Sequence, residues 1–477
     1  MLLRCDCNST FCAVFGTLSG VRSIAEIVLV VVAVMSAVVI APRDSNPPVA
    51  VAAPAATQAP PFERPTSLVV RALRADDLDA VQALAASLGY VTLDRVERPP
   101  SLYLRLPDGV TLARAVTDFT ARPGVLYAEP AYPLRAADIP ADPLYTRDQT
   151  AYLEMMHAPE AWDVSTGAGI IVAVLDTGLD VTHPDLVDRV WTNPGEIPGN
   201  GLDDDADGCV DDVHGCAFLH EPGDVCKAAT GGNVTDDLGH GTFVAGIIAA
   251  AADGQGMVGV ARDAIVLPVK ILDCAGNGNT FSLAQGILYA VEHGARVLNV
   301  SLGGIIDSAY VRETIRIAHD QYGALLVAAS GNNGGAVAYP ARYDTVLAVG
   351  ATTAAGDQRA GFSNTGPEVD VVAVGERIIG AVPVGACTGF FDCLDGDTVY
   401  AVGNGTSFAA PIVSGLAALV LARNPFLRPD ALGGLIKSTA DPMPASDRPD
   451  WAGSGRINML RALQLPYRLG APGTSRN

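Results

Sequence analysis

From about residue 138 to residue 465 the chain alternates short, unbroken apolar runs with stretches of helical spacing, and few folds accommodate that pattern. The apolar runs cover residues 170–175, 265–272, 297–302, 324–330, 346–350 and 369–374. The helical stretches cover 240–252, 281–293, 311–321, 407–423 and 429–439. A strand with one wet face alternates polar and apolar residues, whereas a strand without that alternation is buried on both faces. Such strands between helices predict an α/β fold, a doubly wound parallel sheet flanked by helices. Sheets of this type carry their sites beyond the carboxyl ends of the strands.

The residues ahead of this region read differently. Residues 27–41 are almost purely apolar, with Arg22 before them and Arg43 and Asp44 after. That run is short for a spanning helix and suits a signal-peptide core ending at Val39-Ile40-Ala41, with an uncleaved signal anchor as the alternative. In either case the positive flank stays inside and the remainder crosses the membrane. Residues 42–65 are rich in Pro and Ala and read as a linker. Residues 66–137 read as β-α-β-β-α-β, with one poorly marked strand near 91–96. This is the order of a small α+β ferredoxin-like domain, and it holds no catalytic cluster. Residues 466–477 form a tail.

The formal net charge of -21 argues against a nucleic-acid partner, which needs a basic face. The acid is concentrated in 203–212, where Asp203, Asp205, Asp207 and Gly208 follow D-x-D-x-D-G, a spacing that wraps oxygens around Ca²⁺. Asp211 and Asp212 follow. His214 stands where an EF-hand needs a bidentate Glu, so this is not an EF-hand. Of nine cysteines, Cys5, Cys7 and Cys12 precede the apolar run. Cys209, Cys216, Cys226, Cys274, Cys387 and Cys393 lie in the α/β region. An even set in loop-like sequence fits disulfides formed in an oxidising compartment. Cys387 and Cys393 share one Gly-rich loop and are the expected pair; the other connectivities stay open.

Three motifs fall at expected strand ends and helix starts. Val172-Ala-Val-Leu-Asp176-Thr-Gly178 ends a buried strand in a carboxylate, which is costly unless a partner uses it. Gly239-His240-Gly241-Thr242 opens a helix with small residues around a histidine. Gly403-Asn404-Gly405-Thr406-Ser407 sets a hydroxyl at the start of a nearly all-apolar helix, whose N–H groups face it. Taken singly, these are a turn former, a structural histidine and a cap. Asp, His and Ser together on one sheet are far harder to obtain by chance.

That order and these flanks resemble the subtilisin-like serine proteases, the subtilase family. The resemblance covers about residues 138–465 and is carried most specifically by Gly405-Thr-Ser-Phe-Ala-Ala-Pro411. Asp142-Pro-Leu-Tyr145 and Ala158-Pro-Glu-Ala-Trp162 are similar to the thermitase-like branch. The resemblance implies that Ser407 is the nucleophile, His240 its base and Asp176 the group that holds the imidazole. It implies that Asn332 is the oxyanion donor. Ser301, Leu302, Gly303 and Gly304 correspond to the family's substrate-binding edge strand. Ala329, Ser330 and Gly331 correspond to the opposite wall of the pocket, and Ala338 to its floor. The lack of charge there implies an apolar or small neutral residue before the cut. Residues 66–137 resemble an inhibitor-I9-type propeptide, an intramolecular inhibitor removed by self-cleavage between Tyr132 and Asp142. Asp142, Asp185 and Asp253 match the family's strong calcium site, and subtilase insertions similar to 203–212 bind calcium. The family commonly has His where Phe243 stands and often Met where Phe408 stands. The whole reads as a secreted, monomeric zymogen acting on proteins, in contact with a membrane only through an uncleaved anchor. A lipase-like hydrolase would need G-x-S-x-G with Ser ahead of Asp and His. A pseudoprotease would lack one of the four residues, and none is missing.

Overall fold

The computed structural model describes residues 67–120, 122–131, 139–219, 226, 229–386, 391–394, 397–443 and 450–464. The expected signal segment, the linker, the cleavage segment at 132–138, Cys387 and the tail lie outside the described residues.

The strands β1 (Ser67–Ala72), β2 (Val91–Glu97), β3 (Pro100–Arg105) and β4 (Val125–Pro130) form an antiparallel sheet in the order β2-β3-β1-β4. Helices Leu78–Ser87 and Leu112–Phe119 connect them in the expected β-α-β-β-α-β order. Leu68, Val70, Leu102 and Leu104 project from the sheet into a core with Leu78, Val81 and Phe119, separate from the cores further along the chain. Strand β2 is exposed along most of its length, which explains its faint signature in the sequence.

Eleven further strands follow among the described residues. They are β5 (Ile171–Asp176), β6 (Cys216–Leu219), β7 (Ala229–Gly231), β8 (Ile265–Lys270), β9 (Val297–Val300), β10 (Leu325–Ala329), β11 (Val346–Thr352), β12 (Val371–Val374), β13 (Ile378–Ala381), β14 (Asp392–Cys393) and β15 (Tyr400–Gly403). Eight make one sheet in the order β12-β11-β10-β9-β5-β8-β6-β7, with β5 paired in parallel to both β8 and β9 at its centre. Side chains leave a strand on alternate sides. Val172 and Val174 therefore enter one core with helices His240–Ala249 and Thr406–Arg423, while Ala173 and Leu175 enter a second with Thr280–Glu292 and Ala309–Asp320. Double-sided burial is what the unbroken apolar runs require.

Two features differ from the expected wholly parallel sheet. The edge strand β7 runs antiparallel to β6, and β13-β15-β14 form a small antiparallel sheet of their own. These strands have two to four residues, too few to set up a readable period. The expected strand at 297–302 also stops early, at Val300. Helix Thr406–Arg423 is long and apolar enough to cross a membrane, but it lies in the core. Disulfides join Cys209 to Cys216 and Cys226 to Cys274, and Cys393 is disulfide-bonded as well.

Candidate active site

Asp176 ends the central strand β5 and is fully buried. Its Oδ1 accepts the Thr177 N–H and the Nδ1–H of His240, each at 2.7 Å. His240 begins its helix after Gly239, whose φ of +97° is a backbone form that side chains disfavour. A Cβ on Gly241 would lie 2.1 Å from the Gly178 carbonyl oxygen, so glycine at 241 lets the helix rest on the turn that follows Asp176. Asp236, which motif reading missed, ties the two segments together. Its carboxylate accepts from the N–H groups of Gly239 and Thr242 and from the hydroxyls of Thr242 and Thr177, at 2.7–2.8 Å. Burial alone would lower the His240 pKa, but the charge and hydrogen bond of Asp176, helped by Asp236, outweigh it and hold the imidazole above its usual value.

Ser407 is half-buried in the first turn of helix Thr406–Arg423. The ring of Phe408, the next residue, lies 5.6 Å from the His240 ring, centre to centre. Asn332 follows β10. Its Oδ1 accepts the Thr406 N–H at 2.8 Å and the Thr406 hydroxyl at 2.7 Å, which leaves the amide NH₂ to point elsewhere. A Cβ built on Gly405 would lie 3.4 Å from Asn332 Nδ2 and 3.6 Å from the Ser407 nitrogen. Two N–H donors therefore flank one small space, kept open because residue 405 has no side chain. A carboxylate-held imidazole, a helix-borne hydroxyl and two convergent donors are the parts needed for acyl transfer.

Beside these groups is a cavity of about 480 Å³ lined by Leu302, Gly303, Gly304, Ala329, Gly331, Asn332, Ala338 and Ser407, among others. The Ala338 methyl stands between the walls: a Cβ on Gly303 would meet it at 2.9 Å and one on Gly331 at 3.5 Å. The expected edge strand is not a strand. Beyond β9 the chain is irregular, and Gly304 exchanges both backbone hydrogen bonds with Tyr339 (2.8 and 2.9 Å). Two predicted lining residues lie beneath the surface. Ser330 is fully buried, and Ser301 donates its hydroxyl to the Ser407 carbonyl at 2.8 Å while accepting from Asn299. The sequence reading also missed Arg342, which lines the cavity. Its Nε donates to Glu368 at 2.9 Å, so its charge is matched across the wall.

The acidic residues fall into two regions. Asp142 and Asp185 are buried, and Asp142 Oδ2 and Asp185 Oδ1 have no hydrogen-bond partner among the described residues. Burial pushes the Asp185 carboxyl up to about 7, and the charges of Asp253 and Asp142 add to the rise. Asp142 Oδ1 accepts the N–H groups of Asp253 and Gly254, which joins two of the three loops. In the second region Asp203 and Asp205 meet Glu196, and Asp205 and Asp207 meet His293. Within each trio the ligand atoms lie within 4.8 Å of one another. Glu196, not foreseen from sequence, is buried, and its Oε2 has no hydrogen-bond partner among the described residues. Asp212 belongs to neither trio; its carboxylate accepts from Asn193 and Tyr289. Orphaned buried carboxylate oxygens are what a hard cation would satisfy.

The subtilase family model matches residues 167–459. Thermitase of Thermoactinomyces vulgaris is 33% identical over 68% of this chain and 99% of its own length. Subtilisin Savinase of Lederbergia lenta is 38% identical over 63% of this chain and 92% of its own length. Among solved structures, fervidolysin from Fervidobacterium pennivorans, a keratinolytic enzyme related to subtilisin, superposes with a TM-score of 0.56 at 26% identity. That superposition covers 87% of this chain and 63% of fervidolysin. A protease from Pseudoalteromonas arctica gives a TM-score of 0.54 at 29% identity, over 68% of this chain and 98% of its own. Sheet order, site geometry and these likenesses agree: the chain belongs to the peptidase S8 subtilase family and is a serine-type endopeptidase.

Proposed function

We propose that this enzyme is an exported, self-processed endopeptidase in which Ser407, His240, Asp176 and Asn332 cut protein substrates through an acyl-enzyme. The observation that carries this reading is the 2.7 Å Asp176–His240 bond at the helix start, with Ser407 and Asn332 on the wall of one cavity. His240 takes the Ser407 proton as the oxygen attacks the scissile carbonyl, then returns it to the leaving amine. Asp176 holds the tautomer and steadies the imidazolium. Asn332 Nδ2 and the Ser407 N–H receive the charge that forms on the carbonyl oxygen. The substrate backbone lies along 302–304, and the Ala338 floor favours an apolar or small neutral residue before the cut. Ser407→Ala should abolish both labelling by a fluorophosphonate probe and peptide cleavage; retained cleavage would reject the assignment.

Residues 66–137 are proposed to be the inhibitory propeptide. Their β2-β3-β1-β4 sheet supports this, as does the likeness to fervidolysin, which extends over more of the chain than those to thermitase and the Pseudoalteromonas arctica protease. The same Ser407→Ala chain should then keep this segment attached, and removal of the segment from that variant in a purified sample would count against self-processing. Calcium is proposed for both acidic regions: Asp142, Asp185 and Asp253 in one, and Glu196, Asp203 and Asp205 in the other. There it would neutralise buried carboxylates and tie loops together, with no part in the chemistry. Export is supported by the disulfides, which form in oxidising compartments.

A further inference from the structure

A hydrogen bond at Nδ1 holds one end of an imidazole but leaves the ring free to tilt about that contact. His240 needs a wall as well as a partner. Its wall in this chain is aromatic. Phe408, next to Ser407, lies 5.6 Å from the imidazole with the planes 38° apart. Phe243 is one helical turn after His240, on the same side of the helix. Its ring is 4.3 Å from that of Phe408, so the two helices that carry His240 and Ser407 touch through rings placed beside those residues. Phe391 stacks on Phe243 at 4.9 Å with the planes only 7° apart. All three rings are buried.

Two strands shape the seat of these rings. A Cβ on Gly380 of β13 would come within 2.3 Å of the Phe243 ring, and one on Gly403 of β15 within 2.4 Å of the Phe408 ring. Phe391 also reaches the His240 helix from outside: a Cβ on Gly239, the cap residue, would lie 3.3 Å from its ring. Phe391 lines neither the substrate cavity nor the space beside Gly405.

We propose that Phe391 is a positioning residue for His240, acting through Phe243 and Phe408 to keep the imidazole aligned between Asp176 and Ser407. The inference rests on the catalytic reading above. Close-packed interiors transmit small displacements rather than absorb them, and a base shifted from its line slows proton transfer without changing how substrate binds. Phe391→Leu removes the ring at little cost in volume, and Phe391→Tyr keeps it. Three quantities are compared after each full chain has processed itself, well below each variant's melting temperature. They are inactivation by a fluorophosphonate probe, and kcat and KM on a short peptide anilide per titrated serine. The leucine variant should lose about five- to tenfold in labelling rate and kcat, well short of the about 10²-fold of a 1 Å misplacement, with KM unchanged. The tyrosine variant should recover most of that loss. If the leucine variant does not fold, Phe391→Met makes the same comparison. Wild-type labelling and kcat with only a lower melting temperature would overturn the proposal, as would a change confined to KM. A wild-type enzyme that the probe fails to label once residues 66–137 have been cut away would instead overturn the catalytic reading, so the two failures are distinguishable.

Discussion

At the scale of single residues, the site is governed by how one buried carboxylate is used. Asp176 opposes the burial that would otherwise drain charge from His240. Only the neutral imidazole accepts a proton, so activity should be lost as pH falls through a value above 6.5. In Asp176→Asn burial is opposed only by the weaker charge of Asp236. The acid limb of kcat/KM should move to lower pH, while kcat falls by about 10⁴-fold because the tautomer is no longer held. A pH–rate profile of the two proteins checks both statements. Asn332→Ala should cost about 10²–10³ in kcat with KM nearly constant, since its donor acts on charge present only in the transition state. Asp176, His240, Ser407 and Asn332 were legible because each sits in a local motif. Asp236, Arg342 and Glu196 were not: Asp236 lies outside the helix, ahead of its Gly239 cap, and a cation on a cavity wall and an acid turned inward have no local signature.

At the scale of elements, the helix starts and the short turns decide the geometry. Helix Thr406–Arg423 is anchored by a chain of contacts from its middle to its first turn: Ser414 to Asn299, Asn299 to Ser301, and Ser301 to the Ser407 carbonyl. Two segments distant in sequence meet there, so the Ser301 hydroxyl serves the start of the helix. Gly405 matters at this scale for what it lacks. A methyl at 405 would make only ordinary contacts, 3.4 Å or more from its neighbours, yet it would fill the space between Asn332 Nδ2 and the Ser407 N–H. Gly405→Ala should therefore lower kcat by about as much as the loss of one donor, 10²-fold or more. Its melting temperature should stay near that of the wild type; calorimetry and steady-state kinetics together test the pair of outcomes.

At the scale of the whole molecule, the buried acids link stability to pH and to cations. Asp185 has a folded-state pKa of about 7, well above its ordinary value of 3.8. Between those values the folded chain binds more protons than the unfolded chain. Without a cation, stability should therefore fall as pH rises through this window. Calcium should reverse the trend, since a ligand that binds only the folded chain adds about 2.7 kcal/mol at a hundredfold excess over its Kd. Melting curves at pH 5 and pH 7, with EDTA and with calcium, test this. A chelated protein whose stability rises across that interval would contradict it.

The sequence by itself determined the layered α/β architecture, the β-α-β-β-α-β order of residues 67–130 and the local motifs that carry Asp176, His240, Ser407 and Asn332. Periodicity and helix-start chemistry are local, and they survive in one dimension. Tertiary structure alone decided that the sheet ends in an antiparallel strand, that 301–304 is irregular with a single bridge at Gly304, and that Glu196 joins the acidic loop. It alone brought Phe391 over the His240 helix. Those outcomes depend on which surfaces meet across long stretches of chain, and no pattern within a single segment records a meeting of that kind.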